Sequence, residues 1–165
     1  MGGATVIAAV ALASAALVAG CGDDGSAAAI QKLDAICRAS NLKAASEIVR
    51  FYDDPRVKGA RSESKAIALE VNLFAPIVLA DAEAQARAIR NFDLPSGDKE
   101  QVDAILAAYG HWIERAKRAP RSTVLANDVY NEARALAGKY GLADCGMSPF
   151  AVKTTAGTTK ATQTG

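Results

Sequence analysis

Residues 27–52 read AAAIQKLDAICRASNLKAASEIVRFY and carry one continuous stripe of mostly apolar side chains. The stripe recurs at three- and four-residue steps, which is the repeat of one face of an α-helix. Its members are Ile30, Leu33, Cys37, Asn41, Ala44, Ile48 and Phe51. Because such a face must be buried, the pattern predicts an amphipathic helix that ends at DDPRVKGAR, residues 53–61, where proline and glycine break it.

Three more segments show the same helical period. The second extends from Ser62 or Ser64 to Phe92, and Pro76 within it predicts a kink, or two helices abutting near residues 72–75. The third begins after Asp98, which can cap it together with Gln101, and ends before Pro120. The fourth is expected from Ser122 to Tyr140, with Gly141 in the left-handed position that closes a helix.

No segment shows the strict alternation of a strand, so the sequence predicts an all-α fold. Short connections make neighbouring helices antiparallel. We therefore expect an up-down-up-down four-helix bundle with a kinked second helix.

Residues 1–20, MGGATVIAAVALASAALVAG, contain no Lys, Arg, Asp or Glu. Three interpretations compete for this segment: a cleaved signal peptide, an uncleaved membrane anchor and a buried core helix. The basic residue expected ahead of the apolar part of a signal peptide is absent.

Cys21 favours the cleaved signal peptide, because VAGC, residues 18–21, resembles a bacterial lipobox. The small residues admit a peptidase, and a cysteine thiolate attacks the lipid donor. We expect cleavage before Cys21, which then becomes the first residue and carries acyl chains, since lasting membrane attachment needs more than one chain. The expected location is the extracytoplasmic face of the cell membrane, with membrane lipid as a partner through Cys21.

These features divide the chain into four parts. Residues 1–20 are a cleaved lipoprotein signal peptide, residues 21–26 a polar tether and residues 27–147 the helical bundle domain. Residues 148–165, SPFAVKTTAGTTKATQTG, lack apolar periodicity and are expected to form a disordered Thr-rich tail.

If Cys21 is lipidated, Cys37 and Cys145 remain as the only other cysteines. Exported proteins meet an oxidising environment, so we expect a disulfide, with two free buried thiols as the alternative. The bundle topology brings the two cysteines to the same end, provided that residues 141–145 fold back along the first helix.

Three motifs, VAGC at 18–21, AICRASN at 35–41 and YGLADCG at 140–146, carry a resemblance to small, mostly uncharacterised lipoproteins of high-GC Gram-positive bacteria. The resemblance implies a four-helix bundle with Cys37 bonded to Cys145. It implies no activity.

The side chains offer no catalytic or metal-binding constellation. His111 is the only histidine and has no partner at helical spacing, so we interpret it as a surface or boundary residue. Asp81 and Glu83 are interpreted as surface charge, and Tyr109 and Trp112 as core residues. We therefore expect no enzyme activity, no cofactor and no metal.

The charge balance of 19 basic against 18 acidic residues argues against a nucleic-acid partner. Basic residues nevertheless gather at the end of the bundle farthest from Cys21, where an anionic wall polymer or envelope protein is a candidate partner. They are Arg50, Arg56, Lys58, Arg61, Arg115, Lys117, Arg118 and Arg121. We expect a non-catalytic interaction module of the cell envelope. The alternative is a carrier that holds a small ligand or cofactor in the bundle interior, beside Tyr109, Trp112 and Phe74.

Overall fold

The computed structural model describes residues 24–94, 96–126 and 129–151, with residues 24–26 and Ser96 described through their backbone only. The predicted signal peptide, Cys21 and residues 152–165 of the predicted tail lie outside this range. Within it the chain is all-helical, as the sequence predicted. The seven α-helices of this part are α1 (Asp24–Asp53), α2 (Pro55–Lys58), α3 (Glu63–Leu69), α4 (Ala75–Asn91), α5 (Lys99–Arg118), α6 (Pro120–Val124) and α7 (Asn131–Tyr140).

Helix α1 buries the stripe identified in the sequence. All of its predicted members are buried except Ile30, which is half-buried. A short α2 follows, capped by the Asp54 carboxylate, which accepts a hydrogen bond from the Arg56 N–H. The long apolar face of α1 packs on α4, which is the helix that α1 contacts most extensively.

The second predicted segment consists of α3 and α4 joined by a π-helical turn, Glu70–Phe74. The turn widens because the N–H of Ala75 bonds to the carbonyl of Glu70, five residues back. Pro76 then falls in the first turn of α4, where a missing N–H costs little. The break therefore lies where the sequence placed it.

The fourth predicted segment is not one helix. Helix α6 ends at Val124 and α7 begins at Asn131, with Tyr130 in the left-handed conformation at φ 61°. Tyr130 is buried, and its hydroxyl donates to the Val78 carbonyl at 2.5 Å. This tertiary bond stabilises a backbone conformation that local helix propensity disfavours. Gly141, at φ 100°, closes α7 as predicted.

The ends of several helices line a shared hollow in two places. Tyr52 at the end of α1, Phe74 just before α4 and Leu125 just after α6 line one hollow. Ile30 near the start of α1, Asp98 before α5 and Tyr140 at the end of α7 line another. The sequence suggested that the Asp98 side chain caps α5, and this prediction was wrong. The Asp98 carboxylate instead accepts a hydrogen bond from the Tyr140 hydroxyl at 2.7 Å.

Alanines carry much of the contact between the helices. Ala82 and Ala86 on α4, Ala108 on α5, and Ala133 and Ala137 on α7 are all buried. Small side chains let the helices approach closely, and the larger apolar groups fill the space between them. None of the described helices combines the length and apolar character needed to cross a membrane.

Candidate binding groove

A groove of about 480 Å³ opens on the surface between the end of α1 and the start of α7. Tyr52 of α1 and Asn131 and Arg134 of α7 line it, together with Phe74 and Val129. We call it the α1–α7 groove. Its volume lies in the range of small-ligand and peptide sites.

Aromatic rings form one wall of the α1–α7 groove. The Phe74 ring lies 6.2 Å from the Tyr52 ring and 5.6 Å from the Phe150 ring, measured between centroids. Phe74 is buried, whereas Tyr52 and Phe150 are 57% and 48% exposed. Two rings are therefore supported from beneath by a third while remaining available to a ligand.

Polar side chains also line the groove. Asn131, Arg134 and Ser148 line it, and both α7 residues are solvent-exposed. No carboxylate in the described part of the chain forms an ion pair with Arg134. The groove thus combines apolar area with a cation, an amide and a hydroxyl group.

Residues 142–151, which we call the strap, contribute Ser148, Phe150 and Ala151 to the groove. A disulfide between Cys37 and Cys145 joins the strap to α1, with the two Cα atoms 5.0 Å apart. Both cysteines are fully buried. The predicted pairing is confirmed, and the bond is also what holds one wall of the groove in place.

Gly146 brings the strap against the start of α7. Its φ of 74° is in the left-handed region, and a Cβ atom here would lie 2.4 Å from the Arg134 Cα. Its N–H donates to Gln85 Oε1 at 2.8 Å and to the Tyr109 hydroxyl oxygen at 2.5 Å. Only glycine combines this backbone angle with so close an approach.

Gln85 is the centre of a buried polar network beneath the strap. Its Nε2 donates to Asn41 Oδ1 and to Asp81 Oδ2, both at 2.8 Å. Its Oε1 accepts from the Tyr109 hydroxyl at 2.6 Å and from the N–H of Gly146. All four hydrogen-bonding positions of the amide are therefore used. Such a network stabilises one arrangement of α1, α4, α5 and the strap.

Asp81 is the one acidic residue of the described chain that is fully buried, at 3% exposure. Its carboxylate accepts from the Ser40 hydroxyl at 2.7 Å as well as from Gln85, with the Tyr130 hydroxyl at 3.5 Å. Burial raises the pKa of Asp81 to about 6, although these three hydrogen bonds act to lower it. The interpretation of Asp81 as surface charge was wrong, because its position on α4 faces α1.

A second polar cluster fixes the strap at the surface. The Asp34 carboxylate accepts from the Asp144 N–H at 2.6 Å and from the Cys145 N–H at 3.3 Å. Asn41 Nδ2 donates to the Asp144 carbonyl, and Arg38 pairs with the Asp144 carboxylate at 2.7 Å. Partial burial raises the pKa of Asp34, with the nearby Asp144 charge acting in the same direction. The predicted return of this segment along α1 is confirmed by these bonds.

The remaining candidate residues lie away from the groove. Tyr109 and Trp112 are core residues, as predicted, and Trp112 packs edge-on against Tyr130 with ring centroids 4.7 Å apart. His111 is exposed, as predicted. The described part of the chain holds no cluster of three His, Cys, Asp or Glu side chains arranged for a metal ion.

Four of the eight basic residues at the basic end form ion pairs with acidic side chains. Arg56 pairs with Asp54, Lys58 with Asp53, Lys117 with Glu83 and Arg121 with Glu70. The Arg56 guanidinium lowers the pKa of Asp54 to about 2. Within the described residues no ion pair is formed by the other four, which are Arg50, Arg61, Arg115 and Arg118.

Comparison of the chain with protein-family models, with curated proteins and with solved structures gave no match. The geometry of its own side chains is therefore the basis for any functional conclusion. That geometry provides a surface groove with exposed aromatic rings and a guanidinium that forms no ion pair within the described part of the chain, which is suited to binding.

Proposed function

We propose that the chain is a membrane-anchored extracytoplasmic lipoprotein that acts as a non-catalytic binding module of the cell envelope. The α1–α7 groove is its binding site, and Cys21 carries the lipid. The groove is the observation that carries this function, since it exposes Tyr52 and Phe150 beside Arg134.

The disulfide supports the proposed extracytoplasmic location. Structural disulfides persist in exported proteins and are rare in a reducing cytoplasm. Cys37 and Cys145 are joined across 108 residues of sequence, which makes this bond a feature of the whole fold. An oxidising compartment agrees with export through a signal peptide that ends at VAGC, residues 18–21.

Mass spectrometry of the native protein tests the anchor. The expected N-terminal peptide begins at Cys21 and carries acyl chains, and the protein sediments with membranes. The Cys21→Ser variant is expected to leave Met1 in place and to carry no acyl chain. A native product with an intact Met1 and an unmodified thiol would refute the anchor.

The contacts of the core aromatic residues favour a surface site over an internal one. Tyr109 and Trp112 would line an interior carrier site, but both are buried and are occupied by contacts with Gln85 and Tyr130. An internal carrier of a small ligand or cofactor is the alternative function. Native mass spectrometry distinguishes the two, because a carrier retains a stoichiometric small molecule that is released on unfolding.

Site-specific photocrosslinking in intact cells tests the groove. A photoreactive residue replaces Leu125, which lines the groove, or Arg87, an exposed residue on α4. We expect a discrete adduct from position 125 and none from position 87. Asn131→Trp, which places a ring in the groove, should abolish that adduct, whereas the neighbouring exposed Glu132→Trp should preserve it. Equal adducts from all four proteins would contradict a groove-specific function.

We also propose the up-down-up-down order of a four-helix bundle for the chain. Contacts between Phe51 and Phe74 and between Asp98 and Tyr140 support it, because each joins the end of one long helix to the start of another. Pro76 at the start of α4 and Ala116 near the end of α5 also line one hollow. Double electron–electron resonance distances between spin labels at opposite helix ends test this order.

The basic end is proposed as a second, weaker contact with an anionic wall polymer or envelope protein. The four basic residues that form no ion pair within the described residues support such a contact more than the four that do, because the charge of the latter is already compensated. We expect Arg115→Gln with Arg118→Gln to reduce salt-sensitive retention on the isolated envelope. The matched pair Arg56→Gln with Lys58→Gln should change retention less. An equal effect of both pairs would refute the assignment to unpaired charge.

A further inference from the structure

The lining of the α1–α7 groove limits the chemistry of its ligand. Arg134 is its only charged residue among those described, and Tyr52 and Phe150 line the same groove. A guanidinium presents a planar fork of donors that matches a carboxylate. A ligand that satisfies both the guanidinium and the rings therefore carries an anionic group next to an apolar body.

The groove also offers uncharged polar side chains. Besides Arg134, the groove offers the side chains of Asn131 and Ser148 and a hydroxyl on Tyr52. The peptide groups of a bound polypeptide can use these polar side chains while its apolar side chains lie on the aromatic rings. The composition of the walls thus favours a ligand with one anionic end and apolar side chains.

A second hollow extends the apolar surface past the groove. It has a volume of about 90 Å³ and shares Tyr52, Phe74 and Leu125 with the α1–α7 groove. Phe51 and Leu69 add further apolar area there. A ligand that leaves the groove over Leu125 meets this second hollow. The two adjoining hollows offer separate apolar contacts to successive side chains of an extended chain.

We propose that the α1–α7 groove binds the carboxyl-terminal end of a partner polypeptide whose last residues are apolar, a conclusion that rests on the proposed function of the groove. The terminal carboxylate pairs with Arg134, and Asn131 is placed to bond the last peptide group. Apolar side chains of the ligand lie against Tyr52 and Phe150, and the chain continues over Leu125.

Fluorescence anisotropy with labelled peptides tests this assignment on the full chain in detergent. The probe is AASALF, labelled at its amino end, as the free acid and as the carboxyl-terminal amide. We expect the acid to bind about tenfold or more tightly than the amide, because amidation removes the charged partner of Arg134. Arg134→Gln should remove this preference, and the matched surface variant Arg87→Gln should keep it.

Each outcome separates the ligand class from the function of the groove. Equal affinity for acid and amide overturns carboxylate recognition, while abolition of binding by Asn131→Trp still supports the groove as a site. Binding of N-acetyl-phenylalanine as tight as that of the hexapeptide overturns the peptide assignment in favour of a small acid. If no peptide binds but the adduct from position 125 persists, the ligand class is wrong and the proposed function stands. If that adduct is also absent, both are refuted.

Discussion

Replacing Asp81 by asparagine is expected to stabilise the protein at neutral pH. Asparagine has nearly the same shape, and its Oδ1 can accept the Gln85 and Tyr130 hydrogen bonds while its amide faces Ser40. What the substitution removes is the buried negative charge, which burial disfavours.

The magnitude follows from the pKa of Asp81. Its folded-state pKa is about 6 against 3.8 in the unfolded chain, a rise of about 2 pH units. At about 1.4 kcal/mol per unit, ionised Asp81 lowers the free energy of unfolding by about 3 kcal/mol at pH 7.5. Because folding raises this pKa, Asp81 costs the wild type no stability below pH 3.8. The free energy of unfolding of the wild type then falls as the pH rises through about 6.

Urea unfolding of Asp81→Asn and wild type, with the disulfide intact, measures the difference. We expect Asp81→Asn to be more stable by about 3 kcal/mol at pH 7.5 and by less than about 1 kcal/mol at pH 4. Asp93→Asn, at an exposed site, is the control and should show no comparable pH-dependent difference. A variant less stable than wild type at pH 7.5, or an advantage independent of pH, would refute the reasoning.

Removing the disulfide with Cys37→Ser and Cys145→Ser should lower the free energy of unfolding by about 4–5 kcal/mol, given the 108-residue separation, and unchanged urea midpoints would contradict this. Gly146→Ala should cost about 2–4 kcal/mol in thermal unfolding, because its Cβ meets the Arg134 backbone; a cost below about 1 kcal/mol would mean that the strap can move away. Gln85→Leu should cost about 3–5 kcal/mol in the same assay, since four hydrogen bonds lose a partner, whereas a neutral result would show that the network adds nothing to stability.

Local periodicity was sufficient to predict the long helices. The stripe from Leu33 to Phe51 repeats with the helical period over more than five turns, so burial of one face follows from spacing alone. The break near residues 72–75 was equally local, because Pro76 cannot donate a backbone hydrogen bond. The cysteine pairing was expected from the oxidising environment of an exported protein and was implied by the resemblance, and two free thiols were the alternative.

The buried network could not be predicted from apolar residues alone. Asp81 and Gln85 lie three and seven residues after Val78, at the spacing of the buried face of α4. That spacing was a usable signal, but their polarity led to a surface assignment for Asp81. The break between α6 and α7 had no local signal, since Tyr130 is held by a bond to Val78, 52 residues earlier. The groove draws on α1, α7 and the strap at once, so only the folded structure brings its walls together.

The length of α1 sets a distance for the proposed lipoprotein. Thirty residues at about 1.5 Å per residue give a rod about 45 Å long, with Tyr52 near its far end. When acyl chains on Cys21 hold the near end at the bilayer, the recognition surface stands up to about 40 Å above the lipid headgroups. At that height it can reach the tails of neighbouring envelope proteins.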